Sequence, residues 1–255
     1  MADLAVLLSL AMRVGREAGK LLADRPATFD LSYKSTAIDF ATQMDIASEK
    51  FIVESLLAAR PDDGIIGEEG ALRPSTSGIT WVVDPLDGTV NYLYGLPGWN
   101  VSIAAKDSSG VIVGVVTAPT INSTWHATKG GGAYFNGAPI KCNEPIELDR
   151  ALIGTGFGYD LADRGDQLKV FDYLVRRVRD MRRNGAAAVD LCHVAMGALD
   201  AFFEDGLKEW DWSAGSLIAQ EAGALFSVIG QGPRATYLTA GPRLHFLLNE
   251  ALTEL

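Results

Sequence analysis

The stretch Trp81-Val82-Val83-Asp84-Pro85-Leu86-Asp87-Gly88-Thr89-Val90-Asn91 organises the rest of the chain. Trp81, Val82 and Val83 form a short apolar run, which reads as a buried strand. The strand is expected to stop at Asp84-Pro85, because proline has no N–H to give to a ladder. Asp84 and Asp87 then fall on a tight turn. Gly88 permits unusual backbone angles, and Thr89 opens the next element. Two carboxylates so close together at the end of a strand make a poor core. They make a good site for a hard cation such as Mg2+, which takes oxygen ligands. Alone, an Asp-x-x-Asp-Gly segment reads as a solvated turn; two further acidic stretches shift that balance.

The composition sets the bounds. The chain has 255 residues, 48% of them hydrophobic and 21% charged, an ordinary globular balance that suits one large domain or two intimate halves. The net charge of −10 argues against nucleic acid or an anionic membrane as a partner, since both want a basic face. Anionic small substrates stay open, because bound cations invert the local field. Cys142 and Cys192 lie far apart and show no metal-ligand spacing, so a reduced, cytoplasmic chain is expected. The apolar N-terminus follows Asp3 and is closed by Arg13, which does not read as a signal peptide. No apolar run is long enough to span a bilayer.

Leu4, Leu8, Ala11, Gly15, Ala18 and Leu22 recur at helical spacing and predict an amphipathic first helix. Residues 24–35 read as a loop. A second helix is expected over 42–59, ended by Pro61-Asp62-Asp63-Gly64. Ile65-Ile66 then leads to Gly67-Glu68-Glu69-Gly70, a second pair of carboxylates at a strand end. Strands are expected over 101–106, 111–116 and 123–128, with hairpin turns at 108–110 and around Asn136-Gly137. Residues 142–149 read as the seam between an α+β half, 1–145, and an α/β half, 146–255. In the second half, strands are expected at 151–153, 201–203, 225–228 and 236–240. Helices are expected at 164–179, around Ala188 to Leu199, at 212–222 and at the C-terminus.

The third acidic position is Asp211, in Glu209-Trp210-Asp211-Trp212-Ser213-Ala214-Gly215. Singly, Asp211 reads as a helix cap and Glu68 as a solvated loop carboxylate. Jointly, each lies at an element end beside Gly or Trp, where a cleft forms. A Ca2+ module such as an EF-hand would gather its ligands in one loop, whereas these come from three distant segments. Gly67-Glu68-Glu69, Asp84-Pro85-Leu86-Asp87-Gly88-Thr89 and Trp210-Asp211-x-x-Ala214-Gly215, in this order, resemble the inositol monophosphatase family of Mg2+-dependent, lithium-sensitive phosphatases. The resemblance covers nearly the whole chain. It includes Lys34-Ser35, Asp39 and Asp45 upstream, and Arg182-Arg183-Asn184-Gly185 downstream.

The resemblance implies a layered αβαβα sandwich, a homodimer and two or three Mg2+ ions, with Mn2+ as a substitute. Glu68, Asp84 and the Leu86 carbonyl would hold one ion. Asp84, Asp87 and Asp211 would hold a second, with Glu68 sharing a weaker third. Thr89, paired with Asp45, would orient the attacking water, and the amides of Gly88 and Thr89 would bind phosphate oxygens. Arg182, the turn Gly185-Ala186-Ala187 and Glu204 would face the alcohol part of the substrate. Ala186 stands where many relatives carry Ser or Thr, which leaves only its backbone for that contact. The implied reaction is hydrolysis of a small phosphorylated alcohol, inositol-1-phosphate first and histidinol phosphate second. Fructose-1,6-bisphosphate and nucleotide 3′-phosphates are further substrates within the family. A non-catalytic regulatory relative is the competing reading, but such a chain should have lost one of Glu68, Asp84, Asp87, Thr89 or Asp211, and all five are present.

Other features carry plainer readings. Gly154-Thr155-Gly156-Phe157-Gly158 does not match the dinucleotide fingerprint and reads as a loop near the cleft. His126, His193 and His245 are scattered, with no second metal-type ligand near them. The arginines from Arg176 to Arg183 read as a solvated helix face, with Arg182 the exception, and Cys192 reads as core.

Overall fold

The computed structural model describes residues 3–34, 36 and 38–253. The first half contains α1 (Leu4–Ala23), β1 (Leu31–Tyr33), β2 (Phe40–Thr42), α2 (Gln43–Ala59), β3 (Gly64–Gly67), β4 (Leu72–Arg73), β5 (Thr80–Asp87) and α3 (Thr89–Tyr94). Next come β6 (Asn100–Asp107), β7 (Gly110–Ala118), β8 (Ser123–Thr128), β9 (Ala133–Phe135) and β10 (Ala138–Pro139). The second half contains β11 (Leu152–Thr155), α4 (Arg164–Val175), β12 (Asp180–Arg182), α5 (Ala187–Ala195) and β13 (Ala201–Asp205). It closes with α6 (Glu209–Glu221), β14 (Leu225–Ile229), β15 (Thr236–Ala240) and α7 (Pro242–Thr253).

Two sheets carry the architecture. The larger has the order β10-β9-β8-β7-β6-β5-β3-β4, and the smaller β12-β11-β13-β15-β14. Residues 142–149 link them. Successive strand residues point to opposite faces, and that alternation divides the core into layers. Trp81 and Val83 pack with Val14, Leu22, Ile52 and Leu56 of α1 and α2. Val82, between them, points the other way into a core shared with Leu191, Val194, Leu217 and Ile218 of α5 and α6. Phe202 of the small sheet closes that same core, while Phe203 faces Leu174, Leu244 and Leu248 of α4 and α7. The layers therefore run α1α2, sheet, α5α6, sheet, α4α7, which is the expected αβαβα sandwich. Each fully buried Leu or Val contributes roughly 1.5–3 kcal/mol.

Several boundaries differ from expectation. The strand does not stop at Pro85: β5 pairs Asp84 with Ser102 and then Asp87 with Asn100. One extra residue on β5 makes a bulge, which absorbs the proline and its missing N–H. Leu31–Tyr33, placed in a loop by the sequence, forms β1 against β2. The fourth helix ends at Val175, and Asp180–Arg182 forms β12 beside β11 instead of continuing it. The helix carrying Asp211 begins at Glu209, three residues earlier than predicted. In α1 the buried stripe centres on Leu7, Leu10 and Val14, while Leu4 and Leu8 lie at its edge. Among the described residues no helix is long and apolar enough to cross a membrane.

Candidate active site

The bulge in β5 sets the site. Asp84 accepts a hydrogen bond from the Leu86 N–H at 3.0 Å, which folds the chain back across Pro85. Gly88 follows with φ of +85°, a left-handed conformation that costs glycine nothing. A side chain there would also meet the Gly185 carbonyl at 3.3 Å. The helix α3 begins at Thr89 with no side-chain cap, so its first N–H groups are left open.

The N-terminal part of α2 supplies the support. Asp45, Ser48 and Glu49 are buried along one face. Asp45 accepts from the Thr42 N–H at 2.8 Å and the Thr42 hydroxyl at 2.6 Å, the capping box of this helix. Its other oxygen accepts from the Thr89 hydroxyl at 2.9 Å. Ser48 donates to the Pro85 carbonyl at 2.9 Å. Glu49 accepts from the N–H groups of Glu69 and Ala71 at 2.9 and 3.1 Å. One polar helix face thus fixes both acidic loops and Thr89.

Asp87 joins the two halves. One oxygen accepts from Asn100 at 2.8 Å and from the Ala188 N–H at 2.9 Å; the other accepts from the Ala187 N–H at 3.2 Å. These amides open α5, so Asp87 satisfies the helix start from another element. Asn91 reaches the Asn184 carbonyl at 2.8 Å, and Asn184 donates to the buried Asp190 at 2.6 Å.

A cleft of about 580 Å3 lies above these contacts. Glu68, Asp87, Gly88, Glu204 and Asp211 line it, as do Gly185, Ala186 and Ala187. Lys34 and Asp39 form part of its wall. Asp84, Leu86 and Asp45 are buried and Thr89 half-buried, and none of the four is part of its lining. Asp211 lies in the first turn of α6, and its carboxylate accepts from the Lys208 N–H at 2.6 Å. Lys34 reaches Glu68 at 2.8 Å and Glu69 at 2.6 Å. Burial works against the charge on Lys34, but the two glutamates outweigh it and raise its pKa.

The acidic groups strain against one another. Burial raises Asp84 well above the usual carboxylate range, and the charges of Glu68, Asp87 and Asp211 add to it. Burial pushes Asp87 to about 7, against the bonds from Asn100 and Ala188. Asp211 is raised by burial and then by Glu68. Glu204 is pushed to about 8 by burial and the Asp211 charge, with Arg183 opposing. Among the described residues, no three Asp, Glu, His or Cys side chains close into a finished ion cage. The donor chemistry nevertheless fits a hard divalent cation: the groups are all oxygen, Asp84 and Asp87 are buried and Glu68 and Asp211 half-buried, and, among the described residues, Lys34 on Glu68 is the one cation bonded to them. The Leu86 carbonyl accepts from the Thr89 hydroxyl at 3.2 Å.

Some expectations are corrected. Arg182 does not line the cleft; its guanidinium is paired with Asp180 at 2.6 Å on the exposed side of β12. Arg183, the residue just past the end of β12, lines the cleft instead. His193 has an acidic neighbour one helical turn away, with Asp190 at 3.6 Å. Ser35 lies outside the described residues. The loop of Gly156 and Gly158 borders the cleft, as the sequence suggested. Sequence reasoning passed over Ser48, Glu49, Asn100 and Arg183. For the first two there was a signal: Asp45 and Glu49 stand four residues apart, on one face of a helix.

Comparison with known proteins agrees with this arrangement. A model of the inositol monophosphatase family matches residues 3–254. The chain is 40% identical to Nus factor SuhB of Pasteurella multocida, over 92% of this chain and 89% of that protein. It is 42% identical to inositol-1-monophosphatase of Mycobacterium bovis, over 79% of this chain and 72% of that protein. The crystal structure of extragenic suppressor protein suhB from Bartonella henselae superposes with a TM-score of 0.92 at 31% identity, covering 98% of this chain and 99% of that one. The chain therefore belongs to the inositol monophosphatase family and is a phosphatase of that family.

Proposed function

We propose that the chain is a Mg2+-dependent phosphomonoesterase acting on a small phosphorylated alcohol, with inositol-1-phosphate as first substrate and histidinol phosphate as second. One observation carries this reading: Glu68, Asp87 and Asp211, from three separate segments, line a single cleft, and the charges of all three act on the buried Asp84. Glu68, Asp84, Asp87, Asp211 and the Leu86 carbonyl would hold the cations. Bound there, the ions supply positive charge to the phosphoryl group and lower the pKa of a water molecule.

The residues of the chain do the rest. Thr89 shares its hydroxyl proton with Asp45, so a Thr89 lone pair is free to accept from a water and fix its orientation. A proton taken by Thr89 Oγ1 passes to Asp45 Oδ1, the nearer of its two acceptors. The open N–H groups at the start of α3 receive phosphate oxygens. Arg183 and Glu204 face the alcohol, with Arg183 in the role the sequence had suggested for Arg182.

The test is phosphate release from inositol-1-phosphate and histidinol phosphate before and after EDTA. Activity should disappear with the chelator and return with Mg2+. An unchanged rate in EDTA would overturn the cation assignment. The name of the Pasteurella relative, Nus factor SuhB, favours a second reading, a regulatory role exercised through a protein partner. Under that reading alone, no phosphate is released from any monophosphate with any divalent ion.

A further inference from the structure

One side chain in the cleft takes no part in handling the cations or the phosphoryl group. The connection from β11 to α4, residues 156–163, forms one wall of the cleft, and Tyr159 stands near its middle. That wall is anchored from several sides. Gly156 leaves the space that the Glu204 carboxylate fills, and a side chain there would run into it. Phe157 packs on Phe171 of α4, with ring centroids 6.1 Å apart. From the other half of the molecule, the Thr36 hydroxyl donates to the Tyr159 carbonyl at 3.4 Å. These contacts fix the backbone from which the Tyr159 ring projects.

Tyr159 is 45% exposed and lines the cleft, so a ligand can reach it. The charges that act on its phenol are those of Glu68, Asp87, Glu204 and Arg183, four groups of the same lining drawn from both halves. The phenol end of the ring therefore lies toward the cleft. Burial raises its pKa first and the three carboxylates add to it, with Arg183 opposing, so the hydroxyl keeps its proton. Among the described residues that hydroxyl has no hydrogen-bond partner.

The cleft is short of such donors. Glu68, Asp87, Glu204 and Asp211 only accept when ionised. Lys34 is committed to Glu68 and Glu69, and Arg234 to Asp163. An alcohol hydroxyl both donates and accepts, and carboxylates answer only the first of these.

We propose that Tyr159 is a specificity-determining residue: its hydroxyl donates to a hydroxyl oxygen on the alcohol part of the substrate and so favours polyhydroxy alcohols over plain ones. The inference rests on the phosphomonoesterase reading. In that reading, cations and the first amides of α3 meet the charged phosphoryl oxygens. An uncharged donor under the influence of Glu204 and Arg183 suits the neutral end of the substrate instead.

The experiment compares kcat/KM for inositol-1-phosphate with that for cyclohexyl phosphate, the same ring without its hydroxyls, in the presence of Mg2+. The parent enzyme should prefer inositol-1-phosphate. Tyr159→Phe should lower that preference about fivefold or more, through KM for inositol-1-phosphate. Tyr159→Ala, which removes the ring as well, should lower it at least as far. A parent with no preference would overturn this inference and leave the phosphatase reading standing. So would a preference that stays within about twofold of the parent's in both variants, or a loss confined to kcat and equal for the two substrates. Release of phosphate from neither substrate would overturn the phosphatase reading, and this inference with it.

Discussion

Asp45 and Asp84 are two buried aspartates in one site, and their surroundings are opposite. Asp45 is met by three donors, from the Thr42 backbone, the Thr42 hydroxyl and the Thr89 hydroxyl. Among the described residues, Asp84 accepts from the Leu86 N–H alone, shares a side-chain hydrogen bond with Glu68, and faces the charges of Glu68, Asp87 and Asp211. Burial raises the pKa of both. The hydrogen bonds pull Asp45 back, while the neighbouring carboxylates push Asp84 further. A satisfied carboxylate holds other atoms in place. One pressed against its own kind awaits positive charge.

Asp84→Asn tests the contrast most strongly. It should cut kcat/KM by at least about a hundredfold. In the absence of cations the same substitution should stabilise the protein by about 1 kcal/mol or more, because one repelling charge is gone. Phosphate release and thermal melting in EDTA read the two effects. A variant that loses activity and stability together would break the comparison. Asp45→Asn should behave in the opposite way, costing about 1–3 kcal/mol of stability even without cations, since it replaces an acceptor by a donor against Thr42 or Thr89. Urea denaturation measures that cost.

The third test sharpens the contrast through pH. Glu204 shifts from an ordinary 4.5 to about 8 on folding, and Asp87 from 3.8 to about 7. Between those limits the folded chain keeps protons that the unfolded chain has released. Their contribution to stability is full below the ordinary values and is lost as pH rises through the folded ones. The cation-free protein should therefore melt at a lower temperature at pH 8 than at pH 5, and Glu204→Gln should flatten the slope. A melting temperature that climbs over this range would contradict the assignment. The smallest effect separates two neighbours: Arg182→Ala should change stability by no more than about 1 kcal/mol and leave KM alone, while Arg183→Ala should raise KM about tenfold.

Much of this was legible beforehand. The acidic positions stood out because Gly, Pro and Trp flank them, and such residues mark the ends of elements where clefts form. The layered fold could be expected from the family resemblance, and the strand alternation at 81–83 then divides the core as the layers require. What escaped reading depended on pairing partners distant in sequence. Pro85 ends a strand by local rule, but Asn100 on the neighbouring strand recovers Asp87 beyond the bulge. Leu31–Tyr33 is exposed throughout and becomes a strand only because β2 lies beside it. Arg182 and Arg183 are chemically identical, and only the path of the chain where β12 ends decides which one meets the cleft. Ser48 and Glu49 were hidden because a buried polar face looks, in sequence, like a solvated one.

A carboxylate has roughly four lone-pair positions in its plane. Asp87 commits three of them, to Asn100, Ala187 and Ala188. What remains is a single point of attachment, too little for a large ion gripped by both oxygens at once. The bonds that hold α5 in register would thus also ration the coordination Asp87 offers an ion in the proposed site, in favour of small, tightly hydrated metals.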